Sequence, residues 1–294
     1  MRADALVLCA VAAAMAGTGL AQAQQPPAAT QPATPAPSAA GEQTPAAAPA
    51  SAPATATDER LVLSGNGATL SQDHGGGGGS ATWLASRGGN VVGLGVEYQE
   101  IANSHWTDGV FSGALALGQI VPRATLYVDA HEGAGDVGTH PFHYTVADGG
   151  VIGTLTQWLS VQLEERYIDI DTSHGSLPKL GVTLRLAPAL LASVSYAHSF
   201  GGNLETKLTS VRFDYVGKTF NALAGGAWGP VSPVVINLIT HVIAPGPPLQ
   251  EEYVGVGKSF GRTDWLLLAD YQDVEGFKRK TLTLNFTLHL GRQH

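Results

Sequence analysis

Polar and apolar side chains alternate without a break from Thr281 to Leu290. Successive strand residues point to opposite faces, so Leu282, Leu284, Phe286, Leu288 and Leu290 form an apolar face and Thr281, Thr283, Asn285, Thr287 and His289 a polar one. The same period recurs upstream. Val92, Leu94, Val96 and Tyr98 oppose Gly93, Gly95, Glu97 and Gln99, and Leu159, Val161, Leu163 and Tyr167 oppose Ser160, Gln162, Glu164 and Arg166. Val182, Leu184 and Leu186 oppose Thr183 and Arg185, and Val211, Phe213 and Tyr215 oppose Ser210, Arg212 and Asp214. Such strands separate oil from water. The oil is either the core of a soluble sandwich or the lipid around a membrane barrel.

The connections separate the two environments. The pattern predicts long polar loops at 71–79, 102–108, 132–141, 169–176 and 229–248, alternating with short turns near Gly88-Gly89, Ala187-Pro188-Ala189, Gly217-Lys218 and Gly261-Arg262. Loops of one kind at one end and turns at the other belong to an all-β, up-and-down antiparallel transmembrane β-barrel of the outer-membrane type. About 14 strands are expected, with 12 the main alternative. An even number puts the tether and the C-terminus on the turn side, in the periplasm. Tyr98, Trp158, Tyr167, Tyr215 and Trp265 fall near strand ends, where a membrane interface favours such rings. A secreted β-sandwich binding protein explains each amphipathic strand but gives no reason for the alternating connections.

Composition adds the organisation. Arg2, an apolar run from Ala5 to Ala16 and Ala21-Gln22-Ala23 read as a secretory signal over residues 1–23. Its apolar run is well short of the ~20 residues that span a bilayer. Residues 24–57 are almost all Ala, Pro, Thr, Ser and Gln, a tether that is either a passive spacer or a contact to peptidoglycan or a periplasmic partner. Residues 58–294 form the barrel, whose other expected partners are outer-membrane lipid and the barrel-insertion machinery. Cys9, the sole cysteine, lies in the signal, so the mature chain has no disulfide, thiolate ligand or cysteine nucleophile. A net charge of −8 with scattered Lys and Arg speaks against nucleic-acid binding.

Candidate chemistry is sparse. Asp129-Ala130-His131 with Asp169-Ile170-Asp171 resembles the acid–histidine and paired-acid groups of omptin proteases, but in reversed order and with Asp169 on the opposite phase from Glu164 and Arg166. His198-Ser199 invites comparison with outer-membrane lipid hydrolases, yet adjacent strand residues face opposite sides. An outer-membrane hydrolase is therefore only the alternative reading. His74, His105, His131, His140, His143, His174 and His198 show no compact ligand spacing along the chain. The run Gly75 to Gly79 reads as a flexible loop and not as a phosphate cradle. No catalytic, cofactor or metal site is predicted. The inward set is Glu97, Gln99, Asp129, His131, Gln162, Glu164, Arg166, Arg185, Arg212, Asp214, Asp270 and Gln272, able to form a plug of salt bridges or to line a wet pore. The loop Gly229 to Pro248 either folds inward as a constriction or caps the mouth.

Two segments of the last third carry a family resemblance. Phe220-Asn221-Ala222-Leu223-Ala224-Gly225-Gly226-Ala227-Trp228-Gly229-Pro230, then Ser232-Pro233, is a glycine-rich strand running into a proline-bearing loop. Tyr253-Val254-Gly255-Val256-Gly257-Lys258-Ser259-Phe260, followed by Trp265 to Tyr271, reads as a closing hairpin. Together with signal and tether, these resemble the YaiO family of outer-membrane proteins. The resemblance implies an outer-membrane barrel linked to export of surface polysaccharide, and brings no catalytic residues. The family's barrel ends on an aromatic residue, whereas this chain has Leu290 and then Gly291-Arg292-Gln293-His294.

Overall fold

The computed structural model describes residues 57–70, 75–101, 104–117, 123–137, 139–170, 173–199, 206–217, 220–230, 248–274 and 277–290. The expected signal, nearly all of the tether and most of the loop between Gly229 and Pro248 lie outside them. Fourteen strands follow one another: β1 (Asp58–Leu70), β2 (Gly75–Arg87), β3 (Asn90–Ile101), β4 (Ser104–Ala116), β5 (Ala124–Val137), β6 (His140–Thr156), β7 (Leu159–Ile170), β8 (Ser173–Ala187), β9 (Leu190–His198), β10 (Lys207–Val216), β11 (Phe220–Pro230), β12 (Pro248–Phe260), β13 (Thr263–Val274) and β14 (Phe277–His289). Each pairs antiparallel with its neighbours in sequence, and β14 returns to pair with β1, from Arg60↔His289 to Leu70↔Arg279. The result is a closed up-and-down barrel. Among the described residues this single closed sheet has no second sheet to form a sandwich core with.

The closing strand shows how the sequence pattern becomes a wall. Leu282 and Leu284 are exposed on the outside, while Thr281 and Thr283 are half-buried inside. The same sorting holds at Val92, Leu94 and Val96, exposed by 42%, 56% and 60% respectively. Large aliphatic side chains this exposed, side by side around a barrel, would be a severe liability in water and are the expected surface in lipid. Trp83, Tyr98, Tyr167, Tyr215, Phe220, Trp228, Phe260 and Trp265 share this outer face, and Trp158 is exposed in the turn between β6 and β7.

The alternation of long loops and short turns is only partly present. At the lower end, where the chain enters β1 and leaves β14, two residues separate β2 from β3, β6 from β7, β8 from β9 and β12 from β13, whereas seven separate β4 from β5. Gly88 and Gly89 have φ of 60° and 86°, which suits the two-residue turn from β2 to β3. At the upper end, three expected loops are strand. β4 begins at Ser104, β5 and β6 continue to Val137 and from His140, and β7 and β8 continue to Ile170 and from Ser173. Their sequences read as loops because the outer face turns polar there, with Glu100, His105, Glu132, Asp136 and Asp169, while the ladder continues. The five glycines are likewise the opening of β2, paired with Gly65 to Thr69 of β1. Gly78 faces inward beneath Gln99, where a Cβ would come within 2.3 Å of Gln99 Oε1 and the Tyr98 carbonyl.

Buried apolar side chains gather inside the upper half of the barrel. Leu70, Trp106, Val110, Phe142, Tyr144 and Ile170 are each less than a tenth exposed. The rings of Phe142 and Tyr144 stack with centroids 6.0 Å apart.

Candidate functional site: the inner wall

Among the described residues, three polar networks line the inner wall away from the lower rim, each built across neighbouring strands. The first spans β3 to β6. Glu97 and Asp108 face each other directly, and His131, opposite Val110, lies diagonal to Asp108. His131 Nδ1 is 3.3 Å from Asp108 Oδ2 and its Nε2 is 2.9 Å from Asp129 Oδ1. Ser112 Oγ donates to Asp129 Oδ2 at 2.9 Å, Gln99 Nε2 donates to Glu97 Oε1 at 2.8 Å, and the Tyr144 hydroxyl donates to Asp108 Oδ2.

The second network spans β5 to β8. Arg166 forms a bidentate pair with Asp148, Nε to Oδ1 at 2.6 Å and Nη2 to Oδ2 at 2.7 Å. Glu164 accepts from Lys179 Nζ at 2.8 Å, from Gln162 Nε2 at 2.8 Å and from the Tyr127 hydroxyl. The third spans β10 to β14. Arg212 grips Asp214, Gln272 Nε2 donates to Glu251 Oε1 at 3.0 Å, and Arg279 Nη2 lies 3.9 Å from Asp270 Oδ1.

A recurring device lets the networks skip a strand. Tyr144 reaches Asp108 over Gly133, and Tyr127 reaches Glu164 over Gly150. Tyr253 likewise lies over Gly225, which separates it from Arg212. Each glycine leaves a slot that its tyrosine ring fills. A Cβ on Gly133 would lie 2.7 Å from Asp108 Cβ and 2.8 Å from Tyr144 Cε1. Gly133→Ala should therefore displace the ring and destabilise the barrel by about 1–3 kcal/mol. An unchanged denaturant midpoint would show that the slot is not needed.

These pairs run around the wall. Most of their polar groups pair with wall neighbours, while Asp108 Oδ1 and Gln272 Oε1 are buried without a hydrogen-bond partner. The barrel resembles outer-membrane channels in its fold. It superimposes on the CymD monoaromatic hydrocarbon channel with a TM-score of 0.58 at 9% identity, over 81% of this chain and 90% of that one. A Pseudomonas aeruginosa FadL homologue gives 0.53 at 9% identity, covering 80% and 90%. The Acinetobacter baumannii outer-membrane protein Omp33 gives 0.51 at 12% identity, covering 79% and 99%. No family model and no curated protein sequence matches the chain.

On this barrel the sequence candidates take distinct positions. Glu97, Gln99, Asp129, His131, Gln162, Glu164, Arg166, Arg212, Asp214, Asp270 and Gln272 lie on the inner face within these networks. Arg185 keeps the inward phase but is exposed at the lower rim, next to a register shift between β8 and β9. Asp169 lies on the outer face beside Tyr167, away from His131, and Asp171 is outside the described residues, so the omptin-like arrangement is not assembled. Asp129 touches both Ser112 and His131, which places the acid and not the imidazole beside the hydroxyl. Ser199 Oγ accepts the Thr206 N–H at 2.7 Å, a contact that closes the end of β9 on the start of β10.

Other members were missed. Asp108 fell in a stretch read as loop, and Lys179, Glu251 and Arg279 stood next to proline or loop residues. Tyr127, Tyr144 and Tyr253 point inward, whereas the strand-end pattern places rings at the membrane interfaces. The available signal was an inward glycine that stands across the ladder from a tyrosine.

Proposed function

We propose that the protein is a passive channel in an outer membrane, with the lower end and both termini in the periplasm. The observation that carries this reading is a closed barrel of fourteen strands with an apolar exterior and a polar, ion-paired inner wall. Strands ~4.8 Å apart and tilted ~40° enclose a ring about 28 Å across, and a side-chain layer of about 5 Å on each side leaves roughly 18 Å. Trp106, Phe142 and Tyr144 narrow this space at the upper end. β9 and β11 end, and β10 and β12 begin, at this end, which is the extracellular side in such barrels. The solved structures of similar fold include hydrocarbon channels, in keeping with a transport role.

Among the described inner-wall residues away from the lower rim, the acids Glu97, Asp108, Asp129, Asp148, Glu164, Asp214, Glu251 and Asp270 outnumber the bases Arg166, Lys179, Arg212 and Arg279. Acidic linings favour cations. Refolded protein in planar bilayers should therefore give discrete conductance steps, with a reversal potential under a KCl gradient that reports preference for K⁺ over Cl⁻. Silent bilayers would overturn the channel and leave a structural envelope barrel. A link to surface polysaccharide export is supported by the YaiO-like segments of sequence alone. Undiminished polysaccharide release from a deletion strain would remove it.

A further inference from the structure

Glu97 and Asp108 are the most exacting pair in the wall. They stand directly opposite each other, only 6% and 5% exposed. Like charges directly opposite in a ladder repel, and buried carboxylates need a cation or donors. Donors reach one oxygen of each: Gln99 serves Glu97 Oε1, and Tyr144 serves Asp108 Oδ2. Asp108 Oδ1 is buried with no hydrogen-bond partner. One carboxylate oxygen from each acid and one ring nitrogen of His131 all lie within 4.8 Å of one another.

We propose that Glu97, Asp108 and His131 bind one divalent transition-metal cation of the zinc class, which clips β3, β4 and β5 together on the inner wall. Three features point to this ligand. Two carboxylates balance a dication where one imidazole alone would have to answer three acids, Asp129 included. The mixed oxygen and nitrogen set suits Zn²⁺, Mn²⁺ or Co²⁺, whereas Ca²⁺ takes six to eight oxygens. Finally, the orienting contacts of a metal-bound histidine are already present. Asp129 holds Nε2, leaving Nδ1 toward Asp108, and Ser112 holds Asp129 in turn. Bonds of ~2.1 Å put ligand atoms at most about 4.2 Å apart, so side-chain adjustments of under about 1 Å close the site.

The inference stands whether or not the lumen conducts, because its test reads metal and not current. Untagged mature protein, refolded in detergent and stripped with chelator, is titrated with Zn²⁺ by calorimetry and then desalted for metal analysis. One tightly bound Zn²⁺ per chain is expected. Asp108→Asn and His131→Gln should each weaken binding at least tenfold. His105→Gln, at an exposed imidazole on the outer face paired with Asp136, should leave it unchanged. Substituted Co²⁺ should give visible absorption bands that change in His131→Gln. Heat-modifiable migration checks that each variant is a closed barrel; if Asp108→Asn fails that check, His131→Gln and the wild-type Co²⁺ spectrum decide. No stoichiometric Zn²⁺, a preference for Ca²⁺, or full affinity in the folded variants overturns the site.

Discussion

Leu284→Arg should lower the stability of the membrane-inserted barrel by about 2–4 kcal/mol, the cost of a cationic side chain on the lipid face near the bilayer midplane. Leu284 is 43% exposed on the outer face of β14, between Leu267 of β13 and Gly65 of β1. Leu267 and Leu282 are exposed beside it, so the new charge has no polar neighbour at its level. Gln250→Arg places the same group on the outer face at the upper end, beside Glu252, where the exterior is already polar. It should cost about 0–1 kcal/mol, as near an interface. Denaturant titrations in lipid vesicles measure both. Equal shifts at the two positions would mean that the apolar face of β14 does not meet lipid.

Arg166→Met should cost about 3–5 kcal/mol, because it strands the buried Asp148 carboxylate without its bidentate partner. Asp148 and Arg166 face each other across β6 and β7, and both side chains are at most a tenth exposed. The double variant Asp148→Leu with Arg166→Met should recover most of that loss, since replacing both members of a buried pair by apolar groups is often neutral. The denaturant midpoints of the two single variants and the double variant form the cycle that decides it. A single variant as stable as the parent would show that lumen water reaches this level of the wall. The same result would weaken the case for a constriction formed by Trp106, Phe142 and Tyr144.

Both predictions draw on different amounts of sequence information. Leu284 was assignable from the strand period alone, because lipid on one side and a polar lumen on the other impose strict alternation. That alternation reverses at the upper end, where the outer face turns polar with Glu100, His105 and Glu132 and the inner face buries Trp106, Phe142 and Ile170. Residues 102–108, 132–141 and 169–176 therefore read as loops although most continue as strand. The glycine run at 75–79 misled for a related reason. Glycine is rare in strands, but here backbone approach beneath Gln99 and pairing with β1 require it.

The sequence by itself determined the strand period, the apolar face of β3, β7, β8, β10 and β14, and the inward position of Glu97, His131, Glu164 and Arg166. These follow from local geometry, since side-chain direction in a strand is set by parity. Tertiary structure alone decided which inward residues meet. Glu97, Asp108, Asp129 and His131 come from three strands, and only the register between them brings the four together. Tyr144 reaches Asp108 because Gly133 stands between them in the ladder. Register is a property of paired strands, fixed by the closure of the whole barrel, and no single strand's period contains it.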